Sequence, residues 1–466
     1  VMHEEEEHHD EDEDHDEHEE EHEENVGFLA NSDFESESMK FGASIVDDNG
    51  YLGFSISSVE SSYGIPFHGE GHGDEHGDEH GDEHGDEEEG HDEHEGERIF
   101  TNTQSDKFDI KGSQSLDSLD FVNSVDFFFR DSEYSFTEQH AEEEHEEEEH
   151  HDEEEHHDEH EGHSEGPTTF TNDSAEAGFI FDLSNDLYSQ KVSFNLVNED
   201  TAIFGAEAFM NPASREELTS GCYLSRSFDG FDIDLGVRYD TIDNSGSVTS
   251  VHEEEHHDDE EEDHHDEDHH DEDEHHDEEM ETDYYDRSFN DSSIAFNIGR
   301  ALNDFVDVNL GFASVERAPS SIEMFMNGAH LATGRFEVGN VNLNSETSNN
   351  IDFSVNINNG SFFASATVFV NDVDNYIYLQ DETEEEHEEH DEEHEEGHDD
   401  HGGLILANYL QQDAELDGYE IEFGNTFELA SGELLMSFGR DEVNGEFSNG
   451  GNIPRLNPAR NIYKLK

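Results

Sequence analysis

Residues 231–239 read FDIDLGVRY, and the alternation within them decides the fold. Phe231, Ile233, Leu235, Val237 and Tyr239 take every second position, with Asp232, Asp234, Gly236 and Arg238 between them. Successive side chains of a strand point to opposite faces, so this segment offers one face to hydrocarbon and the other to water. The split recurs at 351–357, where Ile351, Phe353, Val355 and Ile357 oppose Asp352, Ser354 and Asn356. It recurs again at 419–429, where Tyr419, Ile421, Phe423, Phe427 and Leu429 oppose Glu420, Glu422 and Glu428. Helical periodicity is nearly absent, and about fourteen strands of this kind are expected in the 466 residues.

Two kinds of connection alternate between these strands. Short polar turns are expected at Asp47–Gly50, Asp117–Asp120, Ser184–Leu187, Asp229–Gly230, Leu302–Asp304, Asn358–Gly360 and Ser431–Gly432, each rich in the Gly, Asn, Asp or Ser that tight turns use. Between them come long connections: one at about 206–217, one at about 316–346, and tracts of Glu, Asp and His. In an up-and-down meander every second connection lies on the same side, so short turns line one rim and long loops the other. With strands of one apolar and one polar face, that parity predicts an all-β, antiparallel, up-and-down transmembrane β-barrel. A soluble β-sandwich is the competing architecture, but its Greek-key crossings would break the parity. The chain has no Trp, so 13 Tyr and 34 Phe would have to supply the interfacial girdles.

Composition narrows the partners. A formal net charge of −112 with only 18 Lys and Arg excludes nucleic acid and anionic membrane surfaces as electrostatic partners and leaves cations. The one cysteine, Cys222, rules out an intramolecular disulfide and a cysteine-based zinc site, and reads as a small apolar side chain. No stretch approaches the ~20 apolar residues of a spanning helix. Val1 falls inside an acidic tract and Lys466 just after an apparent strand begins, so the chain reads as a fragment or a processed product. No nucleophile motif, phosphate loop or zinc-protease helix supports an enzyme.

Five tracts, at residues 3–24, 68–97, 138–163, 252–281 and 384–401, hold most of the acid and nearly all of the 36 histidines. The tract at 68–97 repeats Gly-Asp-Glu-His and sets His72, His76, His80 and His84 four residues apart. A glycine in each repeat and dense like charge argue against a helix, and the free tracts are expected to be disordered. Other tracts carry pairs, among them His150 with His151, His156 with His157, His264 with His265 and His269 with His270. Imidazole suits zinc, copper and nickel, and carboxylates add field and oxygen ligands. Each capture must order a loop at roughly 1–2 kcal/mol per fixed residue, so single sites are expected to be weak and the advantage to be capacity. Capture should weaken as pH falls toward about 6, because metal requires neutral imidazole. Acidic runs are commonly just solvated charge and would suit calcium, but neither role calls for interleaved histidine.

Residues 316–346 read ERAPSSIEMFMNGAHLATGRFEVGNVNLNSE. This stretch resembles the loop and strand of TonB-dependent outer-membrane receptors. YGIP at 63–66, NYIYLQ at 375–380, YLQQDAELDGYEIEF at 409–423 and NIPRLNP at 452–458 are similar to other parts of that family. YGIP running into a His-rich tract, together with NGAHLATGRFE, resembles the zinc-uptake branch in particular. The resemblance implies a 22-stranded barrel in the outer membrane of a Gram-negative bacterium, closed by an N-terminal plug and powered through the TonB complex of the inner membrane. The fourteen expected strands make the barrel partial, residues 1–466 reading as one partial barrel domain without plug or TonB box.

For a discrete Zn²⁺ site the candidates are His330, in the long connection, and Glu207, just beyond the strand ending near Ala206 on the same side. Each could equally be a hydrogen-bonded loop residue. Arg317 and Pro319 are expected to fix the start of the loop. The expected function is an outer-membrane receptor that gathers divalent metal, zinc before nickel or copper, on its exterior loops and imports it. An iron or cobalt chelate on the same scaffold, or a surface metal-buffering or adhesion protein without transport, are the alternatives.

Overall fold

The computed structural model describes residues 31–65, 99–116, 119, 121–140, 166–205, 208–252, 279–330, 333–382, 404–454 and 456–466. Seventeen strands form one sheet. Fifteen make an antiparallel ladder in which each pairs with the next along the chain. They are β1 (Phe34–Asp47), β2 (Gly50–Gly64), β3 (Ile99–Ser115), β4 (Ser124–His140), β5 (Thr168–Asp182), β6 (Ser189–Gly205), β7 (Ala213–Phe228) and β8 (Phe231–His252). The ladder continues through β9 (Glu279–Asn303), β10 (Val306–Arg317), β13 (Glu346–Asn358), β14 (Phe362–Asp381), β15 (Ile405–Leu429), β16 (Gly432–Phe447) and β17 (Arg460–Leu465). The β10–β13 connection holds the rest: a one-turn helix α1 (Ser321–Phe325) and two short strands, β11 (Asn327–His330) and β12 (Arg335–Val338).

The parity of connections holds. One rim carries the turns β1–β2, β3–β4, β5–β6, β7–β8, β9–β10, β13–β14 and β15–β16, none longer than eight residues. The strand ends that flank the His-rich tracts lie at the other rim. The β7–β8 turn is two residues, Asp229 (φ 51°) and Gly230 (φ 77°), the left-handed pair that a tight hairpin following the strand twist requires. One expected boundary is corrected: β7 begins at Ala213, so the connection placed at 206–217 ends at residue 212. The ladder also has one strand more than the fourteen expected. Bodies of all five tracts lie outside the described residues, and so do Glu207 and the tract histidines His72, His76, His80, His84, His150, His151, His156, His157, His264, His265, His269 and His270.

Register aligns the apolar sets into a continuous outward belt. Leu235 stands between Leu224 and Phe296, Phe296 faces Phe312, Phe312 faces Ile351, and Ile351 faces Val370. Phe423 meets Phe438 at 5.4 Å and Phe438 meets Tyr463 at 5.2 Å between ring centroids on the same face. Much of this face is exposed, Val237 by 46% and Phe353 by 43%, whereas Asp240 and Asp291 on the opposite face are 1% and 2% exposed. Apolar outside and polar inside is the inverse of a water-soluble protein and suits a wall surrounded by lipid. No helix among the described residues is long and apolar enough to cross a membrane.

The packed core lies inside the wall, under the β10–β13 connection. Met324, Phe325, Met326 and Leu343 of that connection bury themselves with Ile203, Phe209, Met210, Ile242, Phe289 and Ile377. Phe325 leaves no room for a side chain at position 246 of β8: a Cβ on Gly246 would sit 2.6 Å from its ring. Strand β12 pairs in parallel with β15 at residues 405–408, while His330 of the neighbouring β11 comes within 3.8 Å of Glu138 at the end of β4. In a flat sheet β4 and β15 would be about 43 Å apart at 4.8 Å per strand. A two-stranded hairpin reaches both only because the wall wraps around it.

Candidate functional site

The start of the connection is clamped before the hairpin is formed. Arg317 donates from Nη1 to Glu323 Oε2 at 2.9 Å and from Nη2 to Glu323 Oε1 at 3.2 Å, and lies 3.4 Å from Glu346 across the ladder. Ser320 caps α1 in a capping box with Glu323. The carbonyl of Pro319 accepts from Arg215 at 3.3 Å and from Asn244 at 3.1 Å. Ser345, at the far end, donates to the buried Asp291 at 2.6 Å. The roles expected for Arg317 and Pro319 match these contacts.

Gly328 lets β11 press against the 208–212 segment, since a Cβ there would sit 2.8 Å from Cβ of Phe209. Asn327 anchors the same strand, its amide donating to Phe209 O at 2.8 Å and its side chain to Thr249 O at 2.7 Å. The hairpin therefore delivers His330 onto Phe209, with rings stacked at 4.7 Å and 22°. Phe170 closes the side at 5.9 Å. His330 borders a cavity of about 340 Å³ whose wall also includes Glu138, Glu199, Met210 and Met326.

His330 is polarised. Its Nδ1 lies 3.1 Å from Glu337 Oε1, and since a carboxylate only accepts, Nδ1 carries the proton of that bond. Nε2 then faces the cavity and Glu138 Oε2 at 3.8 Å. Burial works against the charge of Glu337, but the hydrogen bond and charge of His330, the Thr333 hydroxyl at 3.1 Å and the Arg335 charge outweigh it, holding the carboxyl below its ordinary range. A carboxylate on the far nitrogen of an imidazole fixes ring and tautomer and makes the free nitrogen a better metal ligand.

The hairpin also touches the roots of two tracts. Glu138 is the third residue from the end of β4, where the tract at 138–163 begins. Arg335 makes a two-pronged pair with Asp381, 2.8 Å to each oxygen, at the end of β14 just before the tract at 384–401. Sequence reasoning singled out His330 as a candidate and did not single out Glu337 and Glu138, the carboxylates the fold sets beside it. A turn signal, Gly334 with φ 64°, lies between His330 and Glu337 and would have pointed to a hairpin; nothing local marks Glu138. Among the described residues no three His, Cys, Asp or Glu side chains converge in metal-ligand geometry. Cys222, exposed in the outward belt, takes no part.

An outward apolar belt, a polar interior and alternating short and long connections define an outer-membrane β-barrel. The chain belongs to the family described as TonB dependent receptor-like, beta-barrel, whose sequence model matches residues 36–460. The structure is similar to the copper transporter OprC, with a TM-score of 0.61 at 11% identity over 93% of this chain and 56% of that one. It is similar also to the hemophore receptor HasR of Serratia marcescens, with a TM-score of 0.55 at 12% identity over 89% and 54%. The FrpB iron transporter of Neisseria meningitidis gives 0.52 at 11% identity over 90% and 53%. At such identities the likeness is one of fold, and the chain spans about half the length of these proteins. Family membership places the barrel in the outer membrane of a Gram-negative bacterium.

Proposed function

We propose that this barrel imports divalent metal, zinc first, by gathering it on the His-rich tracts of the long-loop rim and passing it to His330 inside the wall. The observation that carries the reading is the hairpin of His330: one histidine oriented by Glu337, with Nε2 toward a cavity bordered by carboxylates and the strand ends of two tracts within contact of the hairpin. A tract ligand handing metal inward would meet an imidazole whose ring orientation Glu337 already fixes. Import then proceeds through a plug and the TonB complex of the inner membrane, as the family implies, and Glu207 and plug residues complete the metal's shell. Two further carboxylates at the site, Glu138 and Glu199, suit a cation and repel an anionic chelate.

In cells carrying the complete receptor, His330→Ala is expected to lower uptake of labelled Zn²⁺ at scarce metal about tenfold or more, from the loss of one ligand. Deleting the five tracts should lower uptake at scarce zinc and leave it intact at abundant zinc. Uptake indifferent to His330→Ala counts against the relay; uptake indifferent to tract deletion defeats the collector and leaves the channel standing. Binding without uptake would favour a surface buffer.

A second cargo has its own support. Met210 and Met326, paired through a backbone β-bridge, border the same cavity as His330, and a thioether is a soft ligand of the kind that suits Cu(I). Met210→Leu with Met326→Leu separates the two: copper uptake falls and zinc uptake holds if the cargo is copper.

A further inference from the structure

The net charge of −112 turns the chain as a whole away from anionic surfaces, but the outward face of the wall is electrically lopsided and departs from that expectation at one rim. Above the apolar belt, on the long-loop side, carboxylates stand directly opposite one another across successive strands: Asp106 faces Glu133, Glu133 faces Asp173, and Asp173 faces Asp200. At the short-turn rim the same face carries arginine. Arg226 of β7 shares the parity of Leu218, Cys222 and Leu224, and Arg300 of β9 that of Ile294, Phe296 and Ile298, so both point out of the barrel.

The two arginines are built around an aromatic pair. Phe228 and Phe231 close the β7–β8 turn as direct cross-strand partners, and Phe231 is in turn the partner of Arg300. The Arg300 guanidinium carbon stands 4.4 Å from the centroid of the Phe231 ring. That of Arg226 stands 5.4 Å from Phe228 and 4.8 Å from Tyr188, whose hydroxyl accepts from Nη1 at 2.8 Å. These cation–π contacts hold each guanidinium against an aromatic ring without spending a carboxylate on it. Among the described residues neither arginine has an acidic partner within ion-pair distance, unlike Arg440, the other outward arginine, which is held by Glu442 at 2.7 Å. Register puts the two Cα atoms roughly 12 Å apart, two strands across and two residues along. Both forks therefore reach a single group lying over the Phe228–Phe231 pair.

We propose that Arg226 and Arg300 form a site for the phosphate of an anionic phospholipid in the inner leaflet of the membrane, with Phe228, Phe231 and Tyr188 receiving the glycerol and upper acyl region. Short turns of outer-membrane barrels face the periplasm, so this rim meets phospholipid headgroups. A guanidinium fork matches phosphate oxygens in two-pronged geometry, and its stem stays along apolar surface while its head reaches the headgroup layer. Carboxylates at the opposite rim repel the same ligand. The site thus discriminates between leaflets and helps to set the barrel's depth and orientation, whatever cargo the receptor carries.

Native mass spectrometry of the complete receptor in neutral detergent, titrated with phosphatidylglycerol or phosphatidylcholine, tests the site. Phosphatidylglycerol is expected to remain bound where phosphatidylcholine does not, and Arg226→Gln with Arg300→Gln should weaken its retention tenfold or more. Arg440→Gln should leave it unchanged. Equal retention of the two lipids, equal retention by the double variant, or full displacement of lipid by inorganic phosphate at equal concentration would each overturn the proposal. Should the double variant fail to fold, photoactivatable phosphatidylglycerol on the parent receptor decides. Crosslinks at residues 223–233 and 294–303 support the site, and crosslinks confined elsewhere overturn it.

Discussion

Between Phe231 and Tyr239 the wall turns hydrocarbon outward and carboxylates inward, and its hydrogen bonds run from strand to strand whatever the side chains are. Between Ala318 and Leu343 the chain does the reverse. It buries methionine and phenylalanine in the interior and holds its course by particular pairs: Arg317 with Glu323, Arg335 with Asp381, His330 with Glu337. The wall is specified by a period, which many sequences satisfy. The connection is specified by individual contacts, which few do, and it is where a histidine can be held in one tautomer.

The comparison breaks most visibly at Phe325, 1% exposed beneath β8. Removing such a ring costs about 3–5 kcal/mol, and Phe325→Asp adds an unpaired buried charge. The connection should leave the interior while the wall survives: proteolysis should cut within residues 318–345, and the barrel should keep its heat-modifiable migration in detergent gels. An uncut connection, or a lost wall, would contradict the separation of the two. Next in size is Glu337→Gln, which keeps the shape and removes the charge behind His330. Zn²⁺ affinity, measured by titration of the complete receptor, should fall about 10–100-fold, the usual effect of losing a carboxylate behind a metal-bound imidazole. An unchanged affinity would mean that Nε2 of His330 binds no metal. The smallest effect belongs to the wall. Phe353→Leu, on the outward belt at 43% exposure, exchanges one lipid-compatible side chain for another and should shift unfolding in urea by less than about 0.5 kcal/mol. A large shift there would show that the wall, too, depends on specific contacts.

Legibility followed the same division. The strands at 231–239, 351–357 and 419–429 were readable because a period of two is local and each side chain announces its own face. Asp229–Gly230 was readable because a two-residue hairpin needs positive φ at both positions. The start of β7 was not. Arg215 and Glu217 face the interior, where they pair at 3.0 Å, and Ser214 and Glu216 face outward above the belt. With both faces polar, the alternation disappears and Ala213–Glu217 looks like a loop. His330 stood out as a histidine in a long connection away from the tracts. Its orienting partner Glu337 required knowing that 327–338 folds into a hairpin, and Glu138 lies 192 residues away in the chain.

From composition and period alone came the antiparallel membrane barrel and its alternation of short turns with long connections, because strand alternation and turn chemistry act over a few residues and need no folded neighbours. The descent of the β10–β13 connection into the interior, the choice of Glu337 over more distant carboxylates to hold His330, and the pairing of two arginines around Phe228 and Phe231 came only from the tertiary structure. Those depend on which strands the wrapped wall brings together. Register and curvature set that over distances the sequence does not record.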